Sequence, residues 1–174
     1  MDVSKFSISK RLLFAFVIAT LAGTCLHFVY DSFPNAVTAL FSPVNESIWE
    51  HLKLIYWPYL CAALLVTGKS GRGQRGGWYF TLLILSLVML AVGYVYHISL
   101  SKSSVTFDIG LYVVLMALGF LLPGLLGAKA GRGGSVFFFV VLLGVLIVLF
   151  TFLPPDHILF SDLSSVHTWY TIPY

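Results

Sequence analysis

Long apolar runs separated by short polar segments dominate the pattern along this chain. A helix that crosses a bilayer needs roughly 20 mostly apolar residues, because its backbone must satisfy its own hydrogen bonds in lipid. Candidate spans cover residues 12–30, 49–67, 78–97, 109–128 and 135–153. None of them alternates apolar and polar residues as the strands of an outer-membrane barrel do. The pattern therefore predicts an all-α integral membrane bundle with five transmembrane helices.

Two further segments are rich in apolar residues but are not predicted to span. Residues 33–44 precede the second span, and residues 154–174 follow the fifth. We expect both to lie at the outer membrane interface, where they would cover a cavity between the helix ends. The alternative for the first segment is that it dips into the membrane as a re-entrant segment. The whole chain, 1–174, is then a single transmembrane domain.

The composition agrees with this prediction. Of 174 residues, 59% are hydrophobic and only 10% are charged, and the mean hydropathy is +0.94. A soluble domain carries about 25% charged residues. The deficit excludes an ordinary soluble domain, a disordered tail and a nucleic-acid-binding protein, and it predicts a multi-pass protein of the cell membrane.

Lysine and arginine residues indicate the orientation of the spans. They precede the first span and fill the second-to-third and fourth-to-fifth connections: Lys5, Lys10, Arg11, Lys69, Arg72, Arg75, Lys129 and Arg132. If the spans alternate, these segments share one side, and only Lys53 and Lys102 lie on the other. Because cytoplasmic loops are enriched in Lys and Arg, we expect the N-terminus inside and the C-terminus outside.

Acidic and histidine residues fall on the opposite, outer side of the predicted bundle. Every histidine and every acid except Asp2 lies on or near that side. The positive-inside rule concerns Lys and Arg, so it does not explain this sorting. Ionisable residues at membrane depth are candidates for function, so we expect a site at the outer helix ends.

The densest polar segment is residues 42–53, SPVNESIWEHLK. Ser42 followed by Pro43 is typical of a helix start, with serine as the N-cap and proline at the first helical position. We therefore expect the helix of the second span to begin here, outside the apolar run.

A helix over this segment would place Glu46, Glu50 and Lys53 on one face. Two like charges one turn apart at a membrane entry are unfavourable unless a cation, a proton or a basic partner compensates. Glu46, Glu50 and His51 are therefore candidate catalytic residues. The alternative is that Glu50 pairs with Lys53 while Glu46 faces water and His51 is an ordinary interfacial residue.

Histidine and carboxylate side chains also suit zinc, and an open coordination position lets bound water act as a nucleophile. The candidate metal ligands are His97, Asp108, His157 and His27, with His51 as an alternative to His27. Their spacing is not a short zinc motif such as HExxH. Two alternatives need no metal: a general base at His51 oriented by Glu50, or a proton- or cation-coupled binding site.

The run PVNESIWEHLK within residues 41–53, followed by Trp57-Pro58, resembles a signature of small bacterial multi-pass membrane proteins classed as a domain of unknown function. This resemblance covers most of the chain and implies no activity. A second resemblance is to the ceramidase and adiponectin-receptor superfamily of membrane zinc hydrolases. It is carried by residues 45–52 and by His97 followed by Asp108, and it implies zinc. Those proteins have seven spans and a paired histidine motif in the last one, which this sequence lacks.

The leading hypothesis is a membrane-embedded enzyme with an outward-facing site, a zinc-dependent hydrolase or transferase acting on a lipid or lipid-linked substrate. One alternative is a small proton- or cation-coupled transporter, which we would expect to be a homo-oligomer because five helices enclose little pathway. Almost no polar residue lies at the middle of spans three to five, which disfavours transport. The other alternative is a non-catalytic membrane partner subunit.

Overall fold

The computed structural model describes residues 9–68, 72–126 and 134–165, and within these ranges the regular structure is entirely helical. The helices are α1 (Lys10–His27), α2 (Val29–Ser32), α3 (Ala36–Phe41), α4 (Leu52–Thr67), α5 (Arg72–Gly93), α6 (Val105–Leu126) and α7 (Gly134–Phe152). A π-helix, Tyr94–Ser99, continues α5, and two 3₁₀ turns, Ile158–Phe160 and Leu163–Ser165, follow α7. The predicted all-α class is confirmed for the described residues.

In the described ranges, four helices are long and apolar enough to cross a membrane: Lys10–His27, Arg75–Ser99, Val105–Leu126 and Ser135–Phe152. They match the first, third, fourth and fifth predicted spans, with ends that differ by a few residues. The second predicted span, 49–67, corresponds to α4, which has 16 residues. At 1.5 Å per residue α4 is about 24 Å long, shorter than the roughly 30 Å hydrocarbon core of a bilayer.

The helix start predicted at Ser42 is wrong. Residues 43–51 form bends and turns, and α4 begins at Leu52. The Ser42 hydroxyl donates to the carbonyl oxygen of Leu26 and accepts from the backbone N–H of Tyr30 at 3.0 Å. Hydrogen bonds to the region where α1 ends therefore override the local signal for a helix start.

The central helix of the bundle is α4, which contacts α1, α5, α6 and α7. Its buried side chains include Leu52, Ile55 and Tyr59. The surrounding helices expose many large apolar side chains, among them Phe14, Leu21, Leu87, Val114 and Phe138. An apolar outer surface of this extent suits contact with lipid rather than water.

Helix α1 runs antiparallel to α4 and α6. Arg11 at the start of α1 donates to the carbonyl oxygen of Leu65 near the end of α4 at 2.9 Å. Phe16, also early in α1, packs against Phe120 late in α6, with ring centroids 5.6 Å apart. The end of α1 consequently lies beside the starts of α4 and α6.

Gly23 allows these three helices to approach closely. A β-carbon at this position would overlap the hydroxyl of Tyr112 on α6 and the carbonyl oxygen of Leu54 on α4. The Tyr112 hydroxyl donates to the carbonyl oxygen of Thr20 at 2.8 Å. Small residues at helix contacts let backbones approach in this way.

The two segments predicted at the outer interface lie at the same end of the bundle. Residues 33–44 contain α3, and residues 154–165 contain the 3₁₀ turns. The backbone N–H of Trp49 donates to the carbonyl oxygen of Leu159 at 3.1 Å, so the second segment contacts the loop before α4, into which the first segment leads. Residues 166–174 and the predicted cytoplasmic cations Lys5, Lys69, Lys129 and Arg132 lie outside the described residues.

Candidate functional site

Three ionisable side chains from different segments converge at one end of the bundle. His27 ends α1, Glu46 lies in the loop of residues 42–51, and His51 immediately precedes α4. His51 Nε2 lies 3.3 Å from one carboxylate oxygen of Glu46, and His27 Nε2 lies 3.7 Å from the other. One potential ligand atom from each residue lies within 4.8 Å of the others. Two imidazoles and a carboxylate form a donor set that suits zinc.

The packing of α1 on α4 explains this convergence. His27 lies one turn after Gly23 on α1, and His51 lies about one turn before Leu54 on α4. Because Gly23 and the Leu54 carbonyl are in close contact and the helices are antiparallel, the two imidazoles face each other. Their ring centroids are 5.5 Å apart.

The ring of His51 is oriented for ligation through Nε2. Its Nδ1 lies 2.8 Å from the carbonyl oxygen of Ser47. A carbonyl oxygen only accepts hydrogen bonds, so Nδ1 carries a hydrogen and Nε2 faces Glu46. Metal-binding histidines commonly donate their other ring N–H to a backbone carbonyl or carboxylate in this way.

Local electrostatics favour an ion pair between His51 and Glu46. Burial disfavours the imidazolium, but the hydrogen bond to Glu46, the Ser47 carbonyl and the charges of Glu46 and Asp108 outweigh it, so the pKa of His51 is raised. The hydrogen bond from His51 outweighs burial at Glu46 and, with the charges of His51 and His27, lowers the pKa of Glu46. Each partner therefore stabilises the charged form of the other.

His97 and Asp108 form a second pair. His97 Nε2 lies 2.9 Å from Asp108 Oδ1, and His97 Nδ1 lies 3.1 Å from the carbonyl oxygen of Lys102. The ring of His97 therefore bridges the Lys102 carbonyl and the Asp108 carboxylate. The side chain of His97 is 11% exposed and that of Asp108 is 39% exposed, so the carboxylate is the more accessible partner.

The π-helix Tyr94–Ser99 positions His97 for this contact. Segments of π-helix are rare, and many of those that occur lie at functional sites. The ring of Tyr96 stacks on that of Phe107 with centroids 3.6 Å apart, which ties the π-helix to the start of α6. Asp108 is the next residue on α6, opposite His97.

Helical register places Asp108 at the same end of the bundle as His27. Asp108 lies one turn before Tyr112 on α6, and His27 lies one turn after Gly23 on α1. Tyr112 contacts Gly23, and the two helices are antiparallel. The residue one turn before Tyr112 and the residue one turn after Gly23 therefore lie at the same end of the bundle. The charge of Asp108 also acts on His51. Asp108 therefore lies close enough to the three-residue group to act on the charge of His51, without being one of its members.

Glu50 contacts a different set of residues from Glu46. Its Oε2 accepts a hydrogen bond from Lys53 Nζ at 2.6 Å, and the two side chains are 3% and 0% exposed. The sequence analysis considered this pairing as the alternative to a catalytic Glu50. The catalytic role of Glu50 stays a prediction.

His157, a predicted metal ligand, caps the first 3₁₀ turn after α7. Its Nδ1 accepts a hydrogen bond from the backbone N–H of Leu159 at 3.2 Å. Within the described ranges, the group with ligand spacing contains His27, Glu46 and His51 and does not include His157. The structure thus brings His27, which the sequence analysis predicted as a metal ligand, together with Glu46 and His51, which it predicted as catalytic residues. The sequence feature that indicates the contact between α1 and α4 is Gly23, one turn before His27.

The described residues form four long apolar helices with a cluster of ionisable side chains at one end of the bundle. This arrangement is that of an α-helical membrane protein. The chain belongs to a family of unknown function (DUF6512), whose model matches residues 1–172, as the sequence resemblance predicted. Over 70 residues the chain is 36% identical to the proton/glutamate-aspartate symporter of Escherichia coli (strain K12). That match covers 40% of this chain and 16% of the symporter, so the chain spans a small part of that relative. No solved structure matches the chain.

Proposed function

We propose that this chain is a membrane-embedded enzyme, a zinc-dependent hydrolase or transferase that acts on a lipid or lipid-linked substrate. The observation that carries the proposal is the convergence of His27, Glu46 and His51 from three separate segments. Two histidines and one carboxylate are a ligand set of catalytic zinc sites, which keep a fourth position open. Zinc in such a site activates water as a nucleophile near neutral pH.

We assign Asp108 the role of general base at this site. Its charge acts on His51, its carboxylate is partly exposed, and His97 holds one of its oxygens at 2.9 Å. A general base acts through a hydrogen bond, directly or through one water. In this proposal Asp108 would accept a proton from the attacking water, and His97 would orient the Asp108 carboxylate.

The proposal includes the topology expected from the sequence. The apolar helix α4 crosses the bilayer as a fifth span between its four longer neighbours, with the N-terminus inside. The site then lies at the outer ends of the helices, at the level of the lipid headgroups. An exposed ring at Phe28 lies 5.0 Å from that of His27, so apolar surface borders the ligands. This setting suits a substrate that presents a polar group on an apolar chain.

Metal analysis of the purified full chain tests the proposal. After equilibration with zinc and removal of the excess, we expect one zinc ion per chain. His27→Ala should lose the ion, while the matched control His157→Ala should keep it. Absence of zinc from the parent chain, or equal zinc content in both variants, would contradict the proposed site.

A proton-coupled transporter is the second candidate, favoured by the partial match to a proton/glutamate-aspartate symporter. The coupling proton would then be the one that His51 carries in its ion pair with Glu46. Glutamate or aspartate uptake into proteoliposomes under an imposed pH gradient tests this alternative. Uptake that is lost in His51→Ala and retained in His157→Ala would favour transport over the enzyme.

A further inference from the structure

A buried lysine, Lys53, lies at the start of α4, two residues after His51. The ammonium of Lys53 donates to Glu50 Oε2 at 2.6 Å and to the carbonyl oxygens of Ala39 and Ser42 at 2.7 and 3.1 Å. These three bonds use all the donor capacity of the ammonium. Both carbonyls belong to the end of α3, where a helix leaves carbonyl oxygens without helical partners. Lys53 therefore links the end of α3 to the start of α4 through hydrogen bonds.

The carboxylate of Glu50 continues the network into the loop and into α7. Its Oε2 also accepts from the backbone N–H of Val44 at 2.8 Å, and its Oε1 accepts from Thr151 Oγ1 at 3.0 Å. The backbone N–H of Glu50 in turn donates to Ser47 Oγ at 3.3 Å. The loop is thus held from two directions, by α4 and by α7.

The lack of regular structure in residues 43–51 explains why charged side chains are needed here. Buried backbone N–H and C=O groups must find partners, and regular secondary structure supplies few of them in this loop. Glu50 accepts from the backbone N–H of Val44 in this loop, and Lys53 donates to the carbonyls of Ala39 and Ser42 just before it. A buried ion pair adds little net stability compared with well-packed apolar residues. Its distinctive effect is to fix the geometry of the groups that it bonds.

We propose that Glu50 and Lys53 are positioning residues whose ion pair fixes loop 42–51 so that Glu46 and His51 meet His27. Glu46 lies between Val44 and Ser47, which both bond to Glu50, and His51 directly follows Glu50. This inference rests on the proposed function for the identity of the ligand, zinc, but the placement of the loop can be measured without it.

The loop is also fixed to the helix that supplies His27. The Ser42 carbonyl accepts from Lys53, and the Ser42 hydroxyl donates to the carbonyl oxygen of Leu26, the neighbour of His27. The ion pair therefore connects both sides of the ligand group. Loss of either charge should move Glu46 and His51 relative to His27.

The test uses the full chain in detergent or nanodiscs with three variants: Glu50→Gln, Lys53→Met and Thr151→Val. The matched control is Tyr59→Phe, which removes a buried hydrogen bond of 2.7 Å to the Gly119 carbonyl, away from the loop. Zinc affinity is measured by competition with a chelator. Hydrogen exchange of the backbone amides of residues 44–51 is measured without metal. Thermal unfolding of each variant gives its loss of stability.

We expect the Kd for zinc to rise by about tenfold or more in Glu50→Gln and Lys53→Met, as for other residues that orient metal ligands. Thr151→Val should show a smaller rise, and amide exchange in 44–51 should accelerate in the same order. Tyr59→Phe should change neither quantity, even where its loss of stability is similar. This separates positioning from a general loss of stability.

The inference is overturned if zinc affinity and amide exchange in the Glu50 and Lys53 variants equal those of the parent or follow the control. If the parent chain binds no zinc, the proposed function fails, and amide exchange alone decides whether the ion pair positions the loop. Unchanged exchange in 44–51 would then reject positioning as well.

Discussion

The hydroxyl oxygen of Tyr112 fills the space that a β-carbon on Gly23 would need. The carbonyl oxygen of Leu54 presses on the same point from α4, so the added carbon cannot be accommodated by a change in the tyrosine alone. Gly23→Ala should therefore push α1 away from α4 and α6. We expect a loss of about 1–3 kcal/mol in the free energy of unfolding, typical of overpacking. Denaturant titration of the purified chain measures this loss.

The same substitution should also weaken zinc binding, because α1 carries His27. Gly110→Ala is the matched control, since a β-carbon at Gly110 meets no atom within 4 Å. The control should keep both stability and zinc affinity close to the parent values. Equal behaviour of the two alanine variants would refute the close contact at Gly23.

The charge of Glu46 should set the protonation of His51. Neutralising it in Glu46→Gln removes the charged hydrogen-bond partner and leaves burial as the main influence, so the pKa of His51 should fall. Titration of isotope-labelled histidine by NMR, with metal removed, measures the change. The control Asp31→Asn removes an exposed acid from α2 and should leave the His51 titration in place. A His51 titration curve that is unchanged in Glu46→Gln would contradict the ion pair.

The ion pair should also make the stability of the metal-free chain depend on pH. The pKa of His51 is raised above 6.5, so its contribution is complete below pH 6.5 and is lost as the pH rises through the higher folded value. The pKa of Glu46 is lowered from 4.5, so its contribution is complete above pH 4.5 and is lost on acidification. The stability difference between the parent and Glu46→Gln should therefore be largest between pH 4.5 and 6.5. A difference that does not vary with pH would exclude this linkage.

Removing one partner of the Glu50–Lys53 pair should cost more than removing both. Lys53→Met leaves a carboxylate buried without its counter-charge, a change that costs about 3–5 kcal/mol in buried pairs. The double variant Glu50→Gln, Lys53→Met removes both charges and should recover a large part of that loss. Unfolding free energies of the singles and the double form a mutant cycle. A double variant less stable than Lys53→Met would contradict the buried pair.

Cysteine labelling should locate the two ends of the bundle. In a chain with Cys25→Ala and Cys61→Ala, a new cysteine at Ser103 should react with a membrane-impermeant maleimide from outside the cell. A cysteine at Ser9, at the start of α1, should react only after the membrane is permeabilised. The reverse pattern would mean that the site faces the cytoplasm, and reaction of both from outside would exclude the predicted orientation.

The apolar pattern predicted four of the long helices to within a few residues, because a helix in lipid needs a continuous apolar stretch of fixed length. The loop before α4 was harder to predict. Glu46 and Glu50 are four residues apart and were expected on one helix face, yet this segment is not helical and the two carboxylates bond to His51 and Lys53 respectively. Tertiary hydrogen bonds made by Ser42 decided that outcome.

The candidate site followed only in part from the sequence. Sorting of acids and histidines to one side predicted that His27, Glu46 and His51 lie at the same end of the bundle. Their convergence depends on the contact of Gly23 with α4 and α6, which fixes the relative register of the helices. A single sequence contains the glycine but not the identity of the residues that it contacts.

The π-helix Tyr94–Ser99 makes the position of His97 depend on the number of residues in the chain as well as on their identity. An α-helix turns by about 100° for each residue, so deleting one residue from this stretch would restore ordinary helical winding and rotate His97 away from Asp108. A homologue with one residue fewer here could retain both side chains in an alignment and still lack the pair. For this family, gaps between Gly93 and Lys102 are therefore as informative as substitutions.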